Sequence, residues 1–165
     1  MRVTSFVVTF LLGAGLLCAQ GQKAQAMTDA KYGSADAIRA LPLAKLNALL
    51  VDPDASPYAK AKACQRLAVT GDRTSVAGVA ALLGDEHLSV YARTALEQIP
   101  GEAAADALVA ALPRLHGARL VGVINSLGVR RDARAVDALS KLVASTDAAV
   151  SQAASAALAR IRPPL

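Results

Sequence analysis

An acidic residue recurs at a thirty-residue interval in this chain, at Asp72, Glu102 and Asp132, each time just ahead of an apolar pattern with helical spacing. A period in this range marks stacked helical hairpins, none of which buries enough apolar surface alone. Aligned on these positions, Val79, Val109 and Leu139 share one column and Leu82, Leu112 and Leu142 another. The recurrence predicts an all-α chain, and stacked hairpins are usually built to bind other molecules.

From Ser34 onward the apolar residues repeat with helical period and no alternating strand pattern intervenes. The spacing predicts helices over roughly 35–51, 57–70, 74–84, 87–99, 102–112, 118–129, 133–145 and 147–161, which pair into about four hairpins. The breaks carry turn and cap residues: Asp52-Pro53-Asp54, Gly71-Asp72, Gly84-Asp85, Pro100-Gly101 and Thr146-Asp147. Each acidic marker sits at or near a helix start, where a carboxylate accepts backbone N–H groups and meets the positive end of the helix dipole, typically worth ~1 kcal/mol. That assigns the markers to folding. The second helices are rich in alanine, as in Ala153-Ala154-Ser155-Ala156-Ala157-Leu158, so they can approach closely while Leu, Val and Ile fill the gaps.

The first 26 residues follow a different plan. Arg2, an uncharged run from Phe6 to Cys18, the polar stretch Ala19 to Lys23 and the triplet Ala24-Gln25-Ala26 have the layout of a secretory signal cleaved after Ala26. A retained membrane anchor is the alternative, although a spanning helix needs roughly 20 apolar residues. Leu16-Leu17 before Cys18 does not suit a lipid-attachment site. Cleavage leaves residues 27–34 as a flexible lead-in and 35–162 as the repeat domain, exported to the periplasm or secreted. Losing Arg2 and Lys23 from 18 basic residues, with all 13 acidic ones kept, lowers the net charge from +5 to +3. That charge does not point to nucleic acid. Cys64 remains as a lone thiol, so no internal disulfide forms and packing must supply the stability.

The segments Val90-Tyr91-Ala92-Arg93-Thr94-Ala95-Leu96-Glu97-Gln98-Ile99 and Val150-Ser151-Gln152-Ala153-Ala154-Ser155-Ala156-Ala157-Leu158-Ala159-Arg160-Ile161 carry an Ala-Leu pair ahead of Ile. An acidic cap completes the motif. Both resemble the second helix of HEAT-like repeats, the short bacterial kind also found in phycobilisome lyases, over about residues 35 to 162. The resemblance implies a right-handed α-α superhelix used as a protein-binding scaffold, with the second helices on its inner face. It also extends to repeat segments of exported bacterial multidomain proteins, in which other modules carry the chemistry.

With Leu67, Leu96, Leu127 and Leu158 taken as equivalent, the third repeat departs from the pattern: Arg119 stands where Ala59, Leu88 and Val150 stand in the others. Its second helix, Leu120 to Gly128, is apolar nearly all round and holds two glycines, each disfavoured by ~1 kcal/mol against alanine. Such a helix is buried on several sides or forms an apolar contact surface. Counting from the Leu column, the inner face should present Val90, Arg93, Thr94 and Glu97, then Val121, Ile124, Asn125 and Gly128, a set suited to a peptide segment or protein loop. Val121 and Ile124 are equally open to a place in the core, since one residue of register turns a helix by ~100°.

Other residues take plainer readings. Arg130, Arg131 and Arg134 around Asp132 match a helix end to the next helix start. Lys60, Lys62 and Arg66 form a solvated face or a basic rim. Cys64 reads as a small buried hydrophobe. Tyr32, Tyr58 and Tyr91 are the only aromatics after the leader, too few for a base-stacking platform. His87 and His116 are the only histidines, and Glu86-His87 is a single pair where HEAT-like iron hydroxylases use several, so neither a metal site nor a catalytic set is expected.

The sequence thus predicts an exported, non-catalytic protein-binding scaffold or adaptor without cofactor. Its partner is another protein or a peptide segment, with no nucleic acid and no stable membrane insertion once the signal is removed. A subunit or assembly chaperone of an exported enzyme would carry the same signature, and a tetrapyrrole or small-ligand handling protein of the lyase type is a further alternative. The last repeat, with Ala153, Ala156 and Ala157 and no polar cap, also leaves room for a homodimer through that end.

Overall fold

The computed structural model describes residues 27–161; the expected leader, its cleavage point and the Pro163-Pro164 end lie outside them. Every regular element within this range is helical. Helix α1, Ala35–Arg39, begins where Ser34 accepts the Ala37 N–H. The single helix expected over 35–51 is two. Pro42 has no N–H to give and disfavours a helical residue before it, so α1 stops and α2, Leu43–Val51, starts anew.

Helix α3, Pro57–Thr70, is set by Ser56, whose side chain accepts the Ala59 N–H, with Pro57 in the first helical position. A 3-10 turn over Arg73–Ser75 leads into the short α4, Val76–Ala80, and turns fill the remainder of the stretch expected as helix to 84. Asp85 accepts the N–H groups of His87 and Leu88 ahead of α5, Ser89–Gln98. There follow α6, Glu102–Ala111; α7, Gly117–Arg130; α8, Val136–Leu142; and α9, Ala148–Ile161. Asp147 caps the last through the N–H groups of Ala149 and Val150.

Of the three recurring carboxylates, two are caps. Asp72 accepts the Thr74 N–H at 2.8 Å and Asp132 the Arg134 N–H at 3.1 Å. Glu102 differs. It follows Gly101, whose φ of 89° suits only glycine, and its carboxylate meets Arg134 at 2.7 Å without accepting a backbone N–H. Its place in the first turn still suits the helix dipole.

Helices pack in pairs, α2 with α3, α4 with α5, α6 with α7 and α8 with α9. The second members α3, α5, α7 and α9 lie side by side in chain order, and α2, α4 and α6 do the same on the other side. The core runs between these two rows. Leu67, Leu96 and Leu127 are fully buried while Leu158, in the last helix, is half-buried. Val79 of α4 and Leu139 of α8 are fully buried as well. Each such side chain contributes about 1.5–3 kcal/mol by leaving water.

Residues 29–33, within the lead-in, fold onto the α2–α3 turn. Asp29 accepts the N–H groups of Lys31 and Tyr32 through one oxygen and that of Ser56, at 2.9 Å, through the other. Tyr32 donates its hydroxyl to Asp52, and the Lys31 ammonium pairs with the same carboxylate at 2.7 Å. Burial pushes the Asp29 carboxyl up, but the bonds from Ser56, Tyr32 and Lys31 outweigh it and hold it down at about 2. Lys31 and Tyr32 hold Asp52 to about 2 as well.

Candidate partner-binding face

The eight residues expected to form an inner face divide between two directions, with Gly128 buried against α9. On α5, Val90 is 54% exposed and Thr94 is exposed beside it, its hydroxyl donating to the Val90 carbonyl. Arg93 and Glu97 turn sideways toward α7. The Arg93 guanidinium donates to the Gly122 carbonyl at 3.2 Å, and the buried Ser126 hydroxyl donates to Glu97 at 2.6 Å. On α7, Val121 and Asn125 are half-buried at the surface, whereas Ile124 is fully buried. Ile124 is therefore a core residue and presents nothing to a partner.

Helical geometry explains the division. Residues four apart share a helix face, so positions six and two before the column leucine, and two after it, form one stripe. Positions three before and one after form another, and in this packing that second stripe faces the neighbouring helix. The first is the exposed one: Gln65 and Val69 on α3; Val90, Thr94 and Gln98 on α5; Val121, Asn125 and Val129 on α7; Gln152 and Ala156 on α9. Val69 is 79% and Val129 49% exposed. Among these stripes only Arg160, at the end of α9, is charged.

Sequence reasoning missed Gln65, Val69, Gln98, Val129 and Gln152. The stripe was legible in the i, i+4, i+8 spacing, but which of two adjacent stripes meets the next helix depends on the angle of packing. Two further expectations changed character. Gly122 admits the Arg93 side chain, since a Cβ there would lie 2.7 Å from Arg93 Nε. Arg130 crosses from α7 to the end of α5, where it donates to the carbonyls of Leu96, Glu97 and Ile99 and, at 2.8 Å, of Gly101. It satisfies a helix end that would otherwise keep unpaired acceptors.

Burial pushes the Cys64 thiol up to about 12, which leaves it protonated and inert at neutral pH. Among the described residues no group of three His, Cys, Asp or Glu side chains is placed to hold a metal ion, and no helix is long and apolar enough to cross a membrane. No protein-family model, curated protein or solved structure matches this chain.

Proposed function

We propose that this chain is a non-catalytic protein-binding scaffold or adaptor, built from HEAT-like repeats and exported behind the leader at 1–26, whose partner lies across the exposed face of α3, α5, α7 and α9. The observation that carries this reading is the neutral stripe itself. Val69, Val90 and Val129, half to four-fifths exposed on α3, α5 and α7, stand among Gln, Asn and Thr side chains, and α9 continues the stripe with Gln152 and Ala156, in a chain that is 19% charged. Water wets such valines poorly, and the amides offer both a donor and an acceptor to a partner's backbone. Apolar contact with scattered polar groups and few charges is the composition of an interface centre.

The test is capture of a stoichiometric partner from the exported fraction by the wild-type chain and by Thr94→Arg/Asn125→Arg, with Asp137→Arg on the opposite row as control. Loss of capture by at least tenfold in the double variant alone is expected, at unchanged helical circular dichroism. Equal capture by all three proteins would overturn the face. Export is read by mass spectrometry of the same chain, with Met27 as the expected first residue and an intact leader as the contrary result.

A further inference from the structure

Charge is unevenly divided between the two rows of helices. The second helices carry seven Lys and Arg side chains against one acidic residue, Glu97. Arg93, Arg130 and Glu97 are engaged inside the fold, but Lys60, Lys62, Arg66 and Arg119 meet no carboxylate among the described residues. The Nε of Arg66 is enclosed without a partner. On the other row the acids are concentrated: Glu102 and Asp106 of α6 face Arg134, and α8 adds Asp137. The neutral stripe is thus bordered by unpaired positive charge.

A groove of about 330 Å³ opens between the N-terminal halves of α3 and α5, lined by Tyr58, Lys62, His87, Leu88 and Tyr91 with Met27. It holds two of the chain's three tyrosines, and the chain has no tryptophan. The Lys62 ammonium lies 5.5 Å from the centre of the Tyr58 ring. Among the described residues no carboxylate lines the groove; Asp85 is turned to backbone N–H groups, and Glu86, beside His87, is exposed outside the lining. Ala61, which also lines it, occupies the register position on α3 that Val90 occupies on α5. Ala61 is buried at that position and Tyr91 adjoins Val90 in the chain, so the groove borders the neutral stripe.

We propose that this groove is the anchoring subsite of the partner-binding face, taking an aromatic side chain from an acidic segment of the partner whose adjacent carboxylate pairs with Lys62. The inference rests on the face proposed above and adds the chemistry of what docks there. Two tyrosine rings and Leu88 give an aromatic guest flat apolar walls, the environment in which a few residues carry most of an interface's affinity. Lys62, which lines the groove, and Arg66, one turn on along the same face of α3, meet no carboxylate among the described residues and select an acidic segment over a neutral or basic one, drawing it in from a distance.

The experiment uses two peptides, N-acetyl-Glu-Phe-Glu-amide and N-acetyl-Gln-Phe-Gln-amide, titrated into the chain while tyrosine fluorescence and ring proton shifts are followed. The acidic peptide should shift Tyr58 and Tyr91 but not Tyr32, bind at least tenfold more tightly than its neutral counterpart, and weaken as salt is raised. Lys62→Gln should erase the difference between the peptides; Tyr91→Ala should abolish binding and Tyr91→Phe restore it. Equal affinities, or saturable binding that leaves both rings unmoved, would overturn the proposal. The two readings fail separately. Partner capture that is lost in Thr94→Arg/Asn125→Arg but intact in Tyr91→Ala keeps the face and removes the groove.

Discussion

Helix α7 meets α5 through a polar seam and α9 through a dry one, and each of its two interior glycines serves one side. Toward α5, Gly122 leaves space for the Arg93 side chain, and Ser126 joins Glu97 across the gap. Toward α9, a Cβ on Gly128 would sit 2.9 Å from the Ala157 Cα, so the two backbones approach as closely as the chain allows. A glycine in a helix interior costs ~1 kcal/mol against alanine. At 128 that cost is offset by dispersion contacts over an extensive helix contact; at 122 it makes room for a charged side chain. Helix α7 thus places one interior glycine against each of two kinds of neighbour.

The comparison can be broken most sharply at the dry seam. Gly128→Val should force α9 away from α7 and lower stability by about 3 kcal/mol, since the obstructing atoms are backbone and Cβ. Urea unfolding with an unchanged slope would measure it, and a loss under about 1 kcal/mol would mean that α9 can slide. On the polar side Arg130→Met should cost about 2 kcal/mol, because four carbonyls lose a charged donor near the end of α5. Hydrogen exchange should rise at the last turn of α5 before anywhere in α9. Ser126→Ala leaves Glu97 and Arg93 partly exposed to water, so a loss of about 1 kcal/mol is expected.

Gly122→Ala should be nearly silent. The alanine gains ~1 kcal/mol of helix preference while the flexible Arg93 end moves aside. If it destabilises as much as the change at 128, the two seams are alike after all. The smallest effect is local and depends on pH. Asp29 and Asp52, held at about 2, stabilise the N-terminal clasp above the ordinary carboxyl value near ~3.9, and that stability is lost as the pH falls from about 4 toward 2. Tyr32, bonded to Asp52, reports the opening by its fluorescence, which should change in that window while the helical signal persists.

Most of the helical layout was legible because periodicity and caps are local. Asp72, Asp85, Asp132 and Asp147 announce starts that their own backbone neighbours satisfy, and the Leu column falls in the core at 67, 96 and 127. What escaped is what depends on a second element. Pro42 was visible yet was overridden by the apolar pattern around it. Glu102 shares the spacing of the caps but pairs with Arg134, thirty-two residues on, because Gly101 already turns the chain. Arg93 and Glu97 look like surface residues by type and chain position; only the place of α7 shows that their stripe faces a helix. The stripe from Val90 to Gln98 one step round was written in the same ten residues.

The close approach of Gly128 and Ala157 has a consequence for how the chain reaches its native state. Its partners are twenty-nine residues apart in sequence, the contact needs no buried charge to be desolvated, and α7 and α9 share the largest helix contact in the described chain. Closing so short a loop onto so much apolar surface is the favourable order of events for a nucleus. The C-terminal half should therefore condense first and template α5 and α3 in turn, so that substitutions at the α7–α9 seam slow folding, whereas those around Asp29 and Ser56 chiefly hasten unfolding.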